Sequence, residues 1–209
     1  VQAGLKVFRE SPSPNGNLLD REGRLLTCRH GARDIVRTEM DGKLTVLCVS
    51  FGGKRFNSPN DVAVRSDGTL WFTDPPWGLP RQREGREQPG NWVYRFDPQT
   101  KEVSVLIKGL CMPNGIAFSP DHKTLYVANS DGRDPVWRAF PVKEDGNLGA
   151  PRAFFDSSKQ DRISGGGGDG LKVDAKGHVF ATGSGGVLVI SPEGTLLARI
   201  VPGARIANV

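Results

Sequence analysis

No stretch of this 209-residue chain repeats apolar residues at three- and four-residue intervals, so helix-built folds are set aside. Cysteine is scarce. The three present, Cys28, Cys48 and Cys111, are odd in number and form no C-x-x-C pair. That argues against a disulfide framework or zinc ribbon and for buried strand thiols; it leans towards a reducing compartment, and a cytoplasmic location is expected. No apolar run approaches the ~18 residues that cross a bilayer. The net charge of +5 is spread without a block of Lys or Arg, so neither nucleic acid nor a membrane is expected as a partner.

Several familiar motifs are also missing. The glycine run at residues 165–168 lacks the Gly-Lys-Ser/Thr of a phosphate-binding loop and opens no helix. Gly183-Ser184-Gly185-Gly186 is neither a dinucleotide fingerprint nor a nucleophile elbow. There is no EF-hand loop and no His/Cys cluster at zinc spacing.

What the chain does have is glycine and proline, 27 and 15 residues, and one phrase repeated four times. The clearest copy is Ser58-Pro59-Asn60-Asp61-Val62-Ala63-Val64-Arg65-Ser66-Asp67-Gly68-Thr69-Leu70-Trp71-Phe72-Thr73-Asp74. It is a polar head, an alternating strand, a tight turn and a second strand. The other heads are Pro14-Asn15-Gly16, Pro113-Asn114-Gly115 and Gly168-Asp169-Gly170, so Asn15, Asn60, Asn114 and Asp169 are 45, 54 and 55 residues apart. A multi-strand repeat of that length points to a β-propeller with one four-stranded blade per unit. A β-sandwich has no reason to repeat one polar head in each unit. The expected fold is all-β, with blades near residues 14–50, 60–107, 114–156 and 169–201. Leu5-Lys6-Val7-Phe8 reads as the outer strand of a preceding blade, and a fifth head is expected at Asn208-Val209. The whole is read as about four complete blades of a six-bladed propeller in a single domain, with N-terminal and C-terminal blade segments missing; no signal peptide is visible in a chain read as opening mid-blade.

In a propeller the first strands line the axis, so Asn60, Asn114 and Asp169 are expected to converge from far apart in sequence. Two amide oxygens and a carboxylate form a hard oxygen site that suits Ca²⁺, with Mg²⁺, Mn²⁺ or Zn²⁺ as other occupants. Taken singly, Asn or Asp before Gly is an ordinary turn former. The loops joining second and third strands share the face of the heads, which brings His30, residues 74–91, 129–134 and 183–185 to that side. The charged stretch at residues 81–88 reads as a candidate lid.

Asn57-Ser58-Pro59-Asn60-Asp61, Trp71-Phe72-Thr73-Asp74-Pro75-Pro76-Trp77-Gly78, Pro113-Asn114-Gly115-Ile116-Ala117-Phe118-Ser119-Pro120-Asp121 and Asp169-Gly170 together resemble the gluconolactonase / senescence marker protein / luciferin-regenerating enzyme family, in its bacterial gluconolactonase branch. The resemblance covers essentially the whole chain. It implies a six-bladed propeller holding a catalytic divalent cation on its axis, with Asn60, Asn114 and Asp169 as metal ligands. It also implies a fourth, acidic ligand in an E-G-P motif that would lie before Val1. An Arg that binds substrate in some animal members is Ser58 here, and the Pro usual before the last Asp is Gly168.

The expected activity is a metal-dependent hydrolase opening a sugar lactone with activated water. The cation would also stabilise the developing oxyanion. Asp169 and His30 are the candidates for the general base; a lone loop histidine is otherwise a surface hydrogen-bonder. Asn15, Asp61 and Trp77 are candidates for substrate contact, although Asp61 also suits a role in orienting Asn60. The alternatives are a non-catalytic propeller that binds a partner or small sugar, and a phosphotriesterase-like hydrolase in the same site.

Overall fold

The computed structural model describes residues 4, 6–159, 167–183, 185–204 and 206–209. Its organisation starts with the turns. The turn after each inner strand carries an aspartate whose carboxylate satisfies nearby amides: Asp20 Oδ1 accepts from Arg24 N at 2.8 Å, Asp67 Oδ1 from Thr69 N at 2.9 Å, Asp121 Oδ1 from Lys123 N at 3.0 Å and Asp174 Oδ1 from His178 N at 2.8 Å. Such side chain-to-backbone bonds favour a tight reversal over continued extension. Gly68, at φ +85°, takes the left-handed position that the Asp67 turn requires.

Four antiparallel meanders follow from these reversals. The first contains β1 (Pro14–Leu19), β2 (Leu25–Arg29), β3 (Asp34–Thr38) and β4 (Leu44–Cys48). A small hairpin, β5 (Ser50–Phe51) with β6 (Lys54–Arg55), leads on. The second contains β7 (Val62–Val64), β8 (Leu70–Asp74), β9 (Trp92–Phe96) and β10 (Val103–Ile107). The third contains β11 (Pro113–Phe118), β12 (Thr124–Asn129), β13 (Val136–Pro141) and β14 (Arg152–Asp156). The fourth contains β15 (Leu171–Val173), β16 (Val179–Gly183), β17 (Gly186–Ile190) and β18 (Leu196–Ile200). In every sheet spatial order is chain order. The inner strands β1, β7, β11 and β15 stand side by side, each against the next. This is the propeller arrangement, with four blades.

A blade between two neighbours buries both faces, so its strands read as apolar on both parities. β8 shows this: all five residues of Leu70-Trp71-Phe72-Thr73-Asp74 are buried. Phe72 joins Leu26, Cys28, Ile35 and Phe56 in the layer between the first and second blades. Trp71 points the other way, to Ile116, Phe118 and Leu125 of the third. The third and fourth blades close over Trp137, Phe154, Leu171 and Leu188. Cys28 and Cys48 are free and buried. They pair with opposite sides of Ile35, so two strand spacings, roughly 9–10 Å, keep them beyond disulfide reach.

Two sequence expectations are corrected and a third is refined. Residues 6–8 form no strand, and Val7 and Phe8 are exposed, with no partner strand beside them among the described residues. Leu5 lies outside the described residues. Residues 81–88, expected as a candidate lid, are exposed up to residue 87 and anchored at their C-terminal end. Glu87 Oε2 accepts from Arg55 N at 2.8 Å, and Gln88, 2% exposed, donates to Phe51 O and Lys54 O at 3.0 and 2.7 Å. Arg33 adds a bond to Gly85 O at 3.0 Å. The next head falls at Ala207 rather than Asn208. Gly170 N donates to Ala207 O as Gly16 N donates to Asn60 O, and Thr182 Oγ1 donates to Ala207 O as Thr73 Oγ1 does to Asn114 O.

Asp74, at the end of β8, is fully buried and accepts from Asn57 N and Ser58 N at 2.8 and 2.7 Å. Burial raises its carboxyl from the usual 3.8 to about 7, outweighing those two amides. The unfolded chain therefore releases this proton well before the folded one does. Stability drawn from Asp74 is full below pH ~4 and drains as pH rises to about 7, by about 1.4 kcal/mol per unit. Urea unfolding of the wild type and Asp74→Asn across this range should show the wild type's advantage shrinking with rising pH; a constant difference would refute the assignment.

Candidate functional site

The heads are held by one device. Asn60 N donates to Thr73 O at 2.8 Å and Thr73 N to Asp61 O at 3.1 Å; Asp169 N donates to Thr182 O at 2.9 Å and Thr182 N to Gly170 O at 2.9 Å. The residue two before the head is tied as well in the first three blades. His30 N donates to Ser13 O at 2.9 Å, and Ser130 N to Met112 O at 2.8 Å. His30 and Ser130 are thus register equivalents, each one residue past a second strand. In the second blade that place belongs to Pro75, which has no N–H, and the Asp74 carboxylate ties Ser58 N instead.

Together these elements surround a cavity of about 430 Å³, lined by Asn15, His30, Asn60, Trp77, Asn114, Ser130, Gly167, Asp169 and Ala207. Asn60 and Asn114 are buried, Asp169 is half-buried and Asn15 lies at the exposed edge. Asn114 Nδ2 donates to Ser130 Oγ at 2.9 Å. Trp77 reaches the wall because Gly78 is wedged between His30 and Ser58, where a Cβ would meet both side chains. Ser58, where the resemblance implies a substrate-binding Arg in some members, is fully buried. It donates to Pro75 O at 2.5 Å and accepts from Gly78 N at 2.9 Å, pinning the Trp77 loop.

Asp61 is not in the wall. Its carboxylate accepts from Val62 N at 3.0 Å and Ile116 N at 3.4 Å, joining β7 to β11 below the cavity. Burial raises its carboxyl, opposed by the charge of Lys172. The structure thus shows Asp61, 2% exposed, in a bond that crosses from one blade to the next and outside the cavity lining, where the role of orienting the head suits it better than substrate contact. Burial lowers His30 below the usual 6.5. Its Nε2 is buried without a hydrogen-bond partner among the described residues.

Gly168 also finds its reason here. A Cβ at this position would lie 2.5 Å from Trp137 Cζ2. The buried indole fills the space beneath the Asp169 backbone that a proline ring would need. Residues 165 and 166 of the glycine run, and Ser184, lie outside the described residues. Sequence reasoning missed Ser130 and Ala207. Extending the repeat one residue past the second strand aligns His30, Pro75, Ser130 and Ser184, which is the signal that marks Ser130.

The donor set fits a hard divalent cation: one carboxylate and two amides face one polar cavity. Among the described residues no group of three or more His, Cys, Asp or Glu side chains could hold a metal, so a zinc-type cluster is not the alternative there.

The family described as SMP-30/Gluconolactonase/LRE-like region matches residues 2–209. The chain belongs to this family. A gluconolactonase from Zymomonas mobilis is 34% identical over 209 residues, covering 96% of this chain and 58% of its own. A lactonase from Staphylococcus saprophyticus is 27% identical over 200 residues, covering 92% and 58%. The solved structure of a gluconolactonase from Xanthomonas campestris superposes with a TM-score of 0.82 at 36% identity, covering 93% of this chain and 64% of that one. The chain therefore spans less than two thirds of the length of these relatives.

Close passage of the inner strands fixes the cavity's geometry. A Cβ on Gly115 would collide with the Asp169 carbonyl oxygen, whereas nothing lies within 4 Å of one on Gly109. Gly115→Ala should cost about 1–3 kcal/mol and Gly109→Ala less than about 0.5 kcal/mol. Thermal unfolding of the pair checks this; equal midpoints would contradict the tight packing.

Proposed function

We propose that this chain carries the catalytic face of a divalent-cation-dependent lactone hydrolase acting on a sugar lactone. The convergence of Asn60, Asn114 and Asp169 on one cavity that His30 also lines, its Nε2 without a partner among the described residues, carries the proposal. The gluconolactonase and lactonase relatives favour the substrate class.

Asn60, Asn114 and Asp169 would hold the cation, most suitably Ca²⁺, through oxygen. A cation there would polarise a lactone carbonyl and lower the pKa of water beside it. His30 is neutral at pH 7 because burial disfavours its charged form. His30 lines the cavity, and its neutral imidazole is the candidate to take the proton from water attacking a ring carbonyl once the ring turns its buried Nε2 to that side. The Asp169 carboxylate is the second proton acceptor at the same wall. Trp77 gives the sugar ring an apolar surface and shields one side from bulk water. Asn15 offers an amide to ring hydroxyls at the rim.

Hydrolysis of glucono-δ-lactone should require added cation and stop with a chelator, measured on this 209-residue chain and on a version lengthened at both ends. Asn114→Ala should lower cation-dependent turnover at least ~100-fold; full activity would sink the metal reading. The neutral His30 imidazole is lost as pH falls through a value below 6.5, so the rate should drop on that acid limb. His30→Gln should lose about 10²–10⁴-fold and flatten the limb; an unchanged pH–rate profile would remove His30 from the proton path. A phosphotriester hydrolysed in preference to every lactone would reassign the substrate.

A further inference from the structure

We propose that Ser130 is a positioning residue that sets which end of the Asn114 side chain faces the cavity, and so makes that wall an oxygen donor rather than an N–H donor. The proposal rests on the cavity being the cation site named above.

Hydrogen counting leads to it. A serine hydroxyl has one proton and can donate only once. Ser130 Oγ donates to Gly168 O, a carbonyl that can only accept. The hydroxyl meets Asn114 with lone pairs and must accept from it, which it does from Nδ2 at 2.9 Å. Nδ2 also lies 3.4 Å from Gly168 O, a second acceptor on the same side. Turning the amide over would leave three oxygens, Asn114 Oδ1, Ser130 Oγ and Gly168 O, to share the single hydroxyl proton. An amide's orientation is decided by such a network, and here both partners select the NH₂ end. Oδ1 is left to the cavity side, the end a hard cation needs.

Ser130 is itself held for this. Its backbone N–H is tied to Met112 O at 2.8 Å. Residue 167 must be glycine because a Cβ there would meet the Ser130 backbone. The same hydroxyl therefore orients Asn114 and grips the peptide entering Asp169, linking two of the three oxygen donors through one proton.

The test is cation affinity, read by calorimetry with Ca²⁺, together with the amide itself. Ser130→Ala should weaken Ca²⁺ binding about 10–100-fold while the cation-free protein keeps its thermal midpoint within a few degrees. Ser130→Thr should restore affinity to within about threefold. In an Asn114→Asp background a carboxylate presents oxygen at either end, so the further loss on Ser130→Ala should fall to about twofold or less; that non-additivity is the mark of orientation. An unchanged affinity in Ser130→Ala, a Thr variant as weak as Ala, or equal losses in both backgrounds would overturn the proposal. If the wild type binds no cation, the metal reading fails by itself, and the orientation is decided without metal. Asn114 side-chain amide protons, followed by nitrogen-edited NMR, should exchange at least ~10-fold faster in Ser130→Ala; equal exchange would overturn it.

Discussion

The close passage of one inner strand past the next, at the polar heads, is the constraint on which the rest of the structure depends. Gly16 and Gly115 bring their backbones against the Asn60 and Asp169 carbonyls with no room for a side chain. Threonines at the ends of two second strands then reach across to the next head carbonyl. Blade spacing, head register and cavity width follow from that contact. Apolar packing between blades supplies the bulk of the driving force, but it does not specify which atom faces the axis. The hydrogen bonds at the heads do.

The repeat in the sequence carried the blade architecture because each reversal is local: an aspartate, a turn and two short strands announce themselves within a dozen residues. Asn60, Asn114 and Asp169 could be singled out for the same reason, as like residues at like places. What could not be read were contacts settled across blades. Asp61 looks like part of its head, yet its carboxylate is taken by Ile116 N, more than fifty residues away. The stretch at residues 81–88 has the charge and the turn residues of a lid, but its anchoring depends on Phe51 and Lys54 carbonyls that no local pattern reveals. The one-residue offset that places Ala207 at the next head emerged only from its hydrogen bonds.

Departures from the resembled family's pattern find local physical reasons. Ser58, where the resemblance implies an Arg in some members, is a buried pin for the Trp77 loop. Gly168, in place of Pro, leaves room for Trp137. The rigidity a proline would give the peptide before Asp169 is supplied instead by Ser130 holding the Gly168 carbonyl.

The meander order within each sheet has a kinetic consequence. Every strand pairs with its neighbour in sequence, so each blade closes short loops at small entropic cost. The cavity wall instead joins residues on separate blades, from Asn15 to Ala207. Strand pairing is thus local to each blade, whereas the cavity exists only where the blades are docked on one another. A blade-to-blade contact therefore shapes the cavity directly, and the pairing within a sheet only at second hand.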